Sequence, residues 1–531
     1  MKKSLYISVV AILNCMMVGL VSCDDFFDLR PQSETVLEAF WGSESDVASA
    51  VGACYRGMNQ SEFLKRMIVW GEVRSDNVVA GGNIMFPDGD AYALIRILYL
   101  SLTADNAYTD WGVVYNVINN CNNVIHFAPL VGEKDPNFTQ SQLNSYMAEA
   151  VGIRALCYFT LLRTFRNIPL ILEPTISDSK SFEVEQALPD SVINFLIKDL
   201  KGVENKAKKD FKSFGAEEDK GRITQKAIWA LLADIYLWKN DYENCINYCD
   251  KILNDQDYRA DLGLEPSASF HKTVFVDGNS REGIFELQFN AVNIINTAVY
   301  KLYSRDNFFG LPVSFLLSSY DFLEKEKGTL FAATDNRSKY FAFLKAQESG
   351  CFPILKYVYL PNTPNPTQFA RNHESTAYIG NGSRNWIFYR LPDIYLMKAE
   401  ALVEKDDENW GEAYDWVKLS YNRANPDGEL PIVNSREEMR ELVFNERQRE
   451  FLFEGKRYFD LLRRIEREKS PTFVVNKFMM KKYAQLDWAT VRTKLFDMDA
   501  LYMPINKTEL KLNPILKQNP FYVDSQDIVK K

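Results

Sequence analysis

Histidine is nearly absent: 3 residues in a chain of 531. His126, His271 and His373 stand far apart, with no His-x-x-x-His or Glu-x-x-His spacing. A zinc or di-iron site finds little support in that pattern. A basic surplus is missing too, since 62 Lys and Arg face 71 Asp and Glu, giving a net charge of -9. Without a Lys/Arg-rich block there is no electrostatic footprint for a phosphate backbone, which argues against a general nucleic-acid binder. No Gly-rich phosphate loop and no Gly-x-Ser-x-Gly nucleophile elbow occurs. Cysteine is sparse and irregularly spaced, with Cys54, Cys121, Cys157, Cys245, Cys249 and Cys351 beyond the first 23 residues. A disulfide framework is not indicated for a chain this large. Cys245 and Cys249, four apart on one helix face, read as buried small hydrophobes because nothing completes a metal or redox site around them. What is abundant is aromatic surface: 9 Trp, 27 Tyr and 35 Phe make up 13% of the chain. Length alone is compatible with three or four domains or with one large core.

Long apolar runs are lacking except at the start. Lys2 and Lys3 precede an apolar run from Leu5 to Val21 interrupted by Ser8 and Asn14. The run is shorter than the roughly 20 residues a bilayer core needs, so it reads as an export signal rather than a membrane anchor. Its ending, Leu20-Val21-Ser22-Cys23, resembles a bacterial lipobox. By that resemblance residues 1–22 are removed and Cys23 is the lipid attachment site, carrying the several acyl chains that stable anchoring requires. An ordinary secretory signal with an incidental cysteine is the competing reading. Loss of Lys2 and Lys3 would take the net charge from -9 to -11. Asp24 and Asp25 would hold the body away from an anionic leaflet.

Helical periodicity dominates the remainder, around residues 111–127, 143–165, 189–207, 224–255, 392–420 and 436–465. Between about 258 and 390 the character changes to Gly, Pro, Asn and Ser punctuation with short β-like runs, such as Ile284 to Phe289 and Lys356 to Leu360. One segment fits a helix-turn-helix repeat of about 34 residues, with Trp229, Leu232 and Tyr236 as large residues around the small Ala233. Cys245, Cys249 and Ile252 then fall in the second helix of the pair. Tyr395, Ala399, Leu402 and Ala413 form a weaker copy, and Ala150, Ala155 and Tyr158 indicate another.

Several stretches in this order, behind the lipobox, resemble one family, the SusD/RagB outer-membrane lipoproteins. They include Arg30-Pro31, Ala39-Phe40-Trp41, Ala53-Cys54-Tyr55, and Trp70-Gly71-Glu72-Val73-Arg74-Ser75-Asp76-Asn77. Next come Glu149-Ala150, Arg154-Ala155 to Tyr158-Phe159, and Asn167-Ile168-Pro169-Leu170. Towards the end stand Arg390-Leu391-Pro392-Asp393 through Ala401, Asn445-Glu446-Arg447 through Arg463, and Tyr502-Met503-Pro504-Ile505-Asn506 to Pro520. Asn506 replaces the second proline of the family's Pro-Ile-Pro pattern. The resemblance implies a mostly α fold: tetratricopeptide-like helix pairs packed against an irregular loop-rich region with short β elements, a SusD-like α-α superhelix. The expected division is residues 1–22 signal peptide, 23–230 N-terminal region with helix pairs, 231–257 a helix pair continuing the scaffold, and 258–531 the C-terminal region with its loop-rich insert. It also implies a non-catalytic, cell-surface glycan-binding protein without cofactor, anchored in the bacterial outer membrane and partnered by a SusC-like TonB-dependent transporter. A peptide-binding RagB-like lid is the alternative within the family.

Two further readings concern site chemistry. Glu446, Glu450 and Glu454 repeat every four residues beside Arg447, Arg449, Arg457 and Asp460. A surface glycoside hydrolase would use paired carboxylates, but neighbours on one helical face point the same way and do not flank a scissile bond. Ion pairs pinning the helix are the expected role. Asp88-Gly89-Asp90 lacks the six or more oxygens of a Ca²⁺ site and reads as an exposed turn. Sugar binding asks instead for aromatic rings with a few polar groups. Two stretches supply them: Asp76, Asn77, Asn83, Phe86 and Tyr92, and then Asn293, Tyr300, Tyr303, Arg305, Asn307, Phe308 and Phe309. Family members place their ligand loops in these two regions. Trp386 is a further candidate, whereas Trp111 and Tyr115 read as core.

Overall fold

In the computed structural model the described residues are 40–80, 89–175, 183–290, 292–303, 316–318, 330–332, 334–338, 352–354, 356–357, 383–406, 410–484 and 486–523. The signal segment, Cys23 and His373 lie outside them.

Helices form the frame. In chain order the ones used below are α1 (Glu44–Met58), α2 (Ser61–Ile68), α3 (Gly89–Leu98), α4 (Gly112–Lys134), α5 (Gln140–Phe165), α6 (Pro189–Val203) and α7 (Ala216–Gly221). There follow α8 (Gln225–Trp238), α9 (Tyr242–Asn254), α10 (Thr297–Tyr303), α11 (Leu391–Lys405), α12 (Trp410–Ala424), α13 (Arg436–Phe451) and α14 (Arg457–Glu468). Successive neighbours pack as antiparallel pairs: α4 on α5, α8 on α9, α11 on α12, with α9 against α11 joining two pairs. Helix starts are set by local chemistry. Thr139 and Gln142 form a reciprocal capping box at α5, and the Thr224 and Ser435 side chains cap α8 and α13. No helix among the described residues is long and apolar enough to cross a membrane.

The repeat pattern holds in three dimensions. Ala233 is fully buried, and Tyr236 on α8 stacks on Tyr248 of α9 with ring centroids 5.5 Å apart. A small residue permits close helix approach, and the large rings fill the groove around it. Cys245 and Cys249 are buried free thiols, and the Cys245 Sγ reaches the Met397 carbonyl on α11 at 3.9 Å. The weaker copy is the α11/α12 pair, with Ala399 and Ala413 fully buried. Helix α5 is buried on all sides from Ala148 to Phe165: most of these residues are apolar or small, and Glu149, Arg154 and Arg163 are paired with Arg222, Asp199 and Asp234. Trp111 is core, meeting Phe165 edge-on at 5.0 Å.

Strands are short: β1 (Val78–Ala80), β2 (Ile168–Pro169), β3 (Gln186–Ala187), β4 (Gly283–Leu287), β5 (Leu316–Ser318), β6 (Phe352–Pro353) and β7 (Trp386–Arg390), with β4 and β7 buried in the core. They make three antiparallel sheets, β1-β5-β6, β2-β3 and β4-β7. The expected strand near residue 284 is thus β4. Lys356 and Tyr357 form a turn.

The acidic cluster departs from its expected geometry in one respect. Glu446 and Glu450 lie on α13, but that helix ends at Phe451, and Glu454 stands in the following turn. Phe453 and Gly455 take φ of 66° and 71° there, so the chain reverses before α14. The turn is held by backbone contact: a Cβ on Gly71 would lie 1.7 Å from the Gly455 carbonyl oxygen. Only glycine permits two backbones to cross this closely.

The carboxylates nevertheless converge. Arg390 bonds Glu450 at 2.5 Å, Glu454 at 2.7 Å and Glu282 at 3.2 Å, all without solvent exposure. Arg337 holds Glu446 at 2.8 Å and Glu450 at 2.7 Å, and Lys356 holds Glu454 at 2.5 Å. Arg390 and Lys356 keep the Glu454 carboxyl ionised down to a pKa of about 2, against the penalty of burial. Its folded pKa is depressed, so its contribution is present above the ordinary glutamate range and is lost as pH falls from about 4.5 towards 2. The stability gap between the wild type and Glu454→Gln, read by denaturant titration, should therefore be wide at pH 6 and narrow steadily between pH 4.5 and 2. A gap independent of pH would mean that Glu454 is not held as an anion.

Candidate functional site

Strand β1 follows a local distortion at the end of α2. There the helix widens into a π-helical turn, Val69–Val73, that carries Trp70, Gly71 and Glu72 into the interior. Glu72 accepts hydrogen bonds from Asn77 Nδ2 at 2.6 Å and from the backbone N–H groups of Gly455 at 3.0 Å and Phe453 at 3.3 Å. Burial outweighs these bonds and raises its pKa to about 7. Asp76 receives a two-pronged contact from Arg457, at 2.8 and 2.9 Å. Gln448 bridges the pair, donating to Asp76 and to the Asn77 side-chain oxygen.

Asp76 and Asn77 are thus used up inside the protein. They were expected at a ligand surface, but ion pairing and burial make them part of the foundation beneath it. Tyr303 and Trp386 are corrected in the same way. Trp386 stacks on Tyr357 at 5.4 Å, Tyr357 stacks on Tyr303 at 6.5 Å, and all three rings are buried. The Tyr303 hydroxyl donates to the Phe453 carbonyl at 3.2 Å. These rings form an internal column.

Above this foundation β1, which lies in the first designated stretch, pairs with β5. Val78 pairs with Ser318 and Ala80 with Leu316. The antiparallel register puts Ala80 and Leu316 at the same end of the sheet. Asn83, Phe86, Arg305, Asn307, Phe308 and Phe309 lie outside the described residues. Tyr300 lies on α10, which packs on α2 and β5.

Helix α3 flanks the same edge, touching β1 and the π-helical turn. Its outer face presents Tyr92, which is 55% exposed, and Tyr99, just past its last turn, which is 46% exposed. Seven residues separate them, two helical turns or about 10 Å along the axis. Arg96 lies between, its guanidinium 5.7 Å from the Tyr92 ring centroid and bonded to Thr103 and Asp105. Tyr92 was expected. Tyr99 and Arg96 were missed, although the three-and-four spacing Tyr92, Arg96, Tyr99 was visible in the sequence. The strip offers two rings and a fixed donor, an arrangement suited to the apolar face and hydroxyls of a sugar.

Other candidates resolve plainly. Asp90 is bonded to Lys65 at 2.6 Å, and Asp88 lies outside the described residues. Among the described residues no group of three or more His, Cys, Asp or Glu is arranged to hold a metal ion. His271 is buried with Nε2 at 2.9 Å from the Lys356 carbonyl, and burial pushes its pKa down to about 3. His126 sits near Glu173, at 3.8 Å.

The family model "Starch-binding associating with outer membrane" matches residues 25–237, and the "SusD family" model matches residues 346–522. Among curated proteins, SusD-like protein P38 of Formosa agariphila is 23% identical, over 87% of this chain and 92% of its own length. A SusD superfamily crystal structure from Bacteroides vulgatus superposes with a TM-score of 0.70 at 19% identity, over 91% of this chain and all of that one. Surface glycan-binding protein A from Bacteroides thetaiotaomicron, solved in complex with laminarihexaose, gives a TM-score of 0.67 at 20% identity, over 90% and 99% of the two chains. With one family model on each half of the chain and the same superhelix in solved relatives, this protein belongs to the SusD family.

Proposed function

We propose that this protein is a non-catalytic, cell-surface glycan-binding lipoprotein, anchored through Cys23 in the outer membrane, that delivers oligosaccharide to a SusC-like TonB-dependent transporter. The observation that carries the reading is the exposed Tyr92-Arg96-Tyr99 strip on α3, the helix that packs against β1. Family membership supports it, as does the glycan held by a relative of the same fold. On this reading Phe86, Phe308 and Phe309 complete the platform, with Asn83, Arg305 and Asn307 supplying hydrogen bonds. The hydrolase alternative rested on Glu446, Glu450 and Glu454. Those carboxylates are buried and held by Arg337, Arg390, Arg423 and Lys356, which leaves them no substrate to reach.

Native gel electrophoresis through soluble starch, laminarin and xylan tests binding, with a reducing-sugar assay on the same mixtures. Retardation by at least one polysaccharide without release of reducing ends is expected; released sugar would overturn the non-catalytic reading. Each exposed ring contributes about 1 kcal/mol, so Tyr92→Ala with Tyr99→Ala should weaken binding roughly thirtyfold while leaving the melting temperature unchanged. Unaltered affinity would remove the strip from the site.

The anchor has its own test. Alkynyl-palmitate labelling should tag the wild type and not Cys23→Ala, and the variant should leave the membrane fraction. Labelling of Cys23→Ala would exclude that cysteine as the lipid site.

A further inference from the structure

A second cleft, of about 350 Å³, lies between α1, α7 and the end of β4, and shares no lining residue with the Tyr92-Arg96-Tyr99 strip described above. Its floor is opened by Gly52. This residue is exposed in mid-helix, and a Cβ built on it would meet nothing within 4 Å. Glycine inside a helix costs about 0.5–1 kcal/mol relative to alanine, and here the missing side chain leaves the helix surface bare. Gly221 sets the opposite wall, where a Cβ would fall 2.5 Å from Gln288 Cγ, so α7 and β4 approach closely.

The polar walls are held in place from behind. Arg222 donates through Nε and Nη2 to the buried Glu149 at 2.8 and 2.7 Å, and its guanidinium lies 4.1 Å over the Phe211 ring. The Tyr55 hydroxyl donates to Glu149 at 2.8 Å and accepts from the Ile223 N–H at 2.8 Å. The Asn59 amide donates to the Gln288 carbonyl at 2.5 Å. Side chains fixed in this way lose little further freedom on binding. Along the walls the formal charges cancel, with Arg56 and Arg222 against Glu217 and Glu218. No cationic surplus exists for a phosphate or carboxylate ligand. What remains is a small cleft of balanced charge in which Tyr55, Arg222 and Gln288 are bonded within the protein and act as fixed walls, while Arg56, Glu217 and the Asn59 amide line it as donors and acceptors for adjacent hydroxyls.

We propose that this cleft is a second carbohydrate site, one that takes a neutral di- or trisaccharide independently of that strip. The inference rests on the reading of the protein as a glycan binder. Titration calorimetry with maltotriose, cellotriose and laminaritriose tests it. The wild type should take up two equivalents of the preferred sugar, the Tyr92→Ala, Tyr99→Ala protein one, and that protein with Gly52→Phe none. Gly52→Ala controls for folding: it should melt no lower than the wild type and keep the second equivalent. If Gly52→Phe leaves uptake unchanged, or if the wild type binds one equivalent and loses it entirely with the two tyrosines, the cleft is not a sugar site while the proposed function stands. Absence of binding by the wild type to all three trisaccharides and to the polysaccharides above would overturn both.

Discussion

A single buried guanidinium, that of Arg390, ties together the elements between β4 and α14. It closes β7 and opens α11, so its backbone belongs to the sheet and to the helix stack at once. Its side chain binds carboxylates from the segment before β4, from α13 and from the turn beyond α13. Taking one charge out of water is strongly unfavourable, and a buried ion pair is retained only where every member is satisfied. Here Arg337, Arg423 and Lys356 supply the remaining partners, so each carboxylate finds at least one cation. Positions of elements far apart in sequence are thereby determined jointly, because displacing any one would leave a bare charge.

The β1–β5 pairing inherits its placement from that centre. The turn at Phe453-Gly455 carries Glu454 on one side and donates two backbone N–H groups to Glu72 on the other. Gly71 crosses it at a distance no other residue permits. Glu72, Asn77 and Asp76 then lead directly into β1. A continuous path of hydrogen bonds therefore joins the charge centre to the start of β1, and the Tyr303-Tyr357-Trp386 column packs beside it.

Much of the frame was legible in the sequence because helical packing leaves a periodic mark. Ala233 among Trp229, Leu232 and Tyr236 announced a close helix pair, and the α8/α9 geometry follows from it. The ion-pair role of Glu446 and Glu450 was legible too, since carboxylates on one helical face cannot oppose each other across a substrate. Two things were not. The termination of α13 before Glu454 depends on Gly455 meeting Gly71, a contact between residues far apart in the chain that no local pattern encodes. Burial of Asp76, Asn77, Tyr303 and Trp386 was equally hidden, because polar and aromatic residues in an irregular stretch look the same whether they face solvent or pair with a distant Arg457 or Tyr357. Tyr99 was illegible for the opposite reason: it stands at the end of a helix, outside the irregular stretches whose composition marks a sugar-binding edge.

The β1-β5-β6 sheet carries a wider implication. Its strands are two or three residues long and are joined through backbone groups, which nearly all residue types provide alike and of which Pro353 in β6 keeps the carbonyl. Such an anchor demands little of the side chains on either side of it. Connections of different length and composition can be exchanged between these strands without disturbing the register or the charged centre below. A lineage built on this plan can change what it recognises while its scaffold stays put, which fits a chain that shares only about a fifth of its residues with relatives whose backbone it follows over nine-tenths of its length.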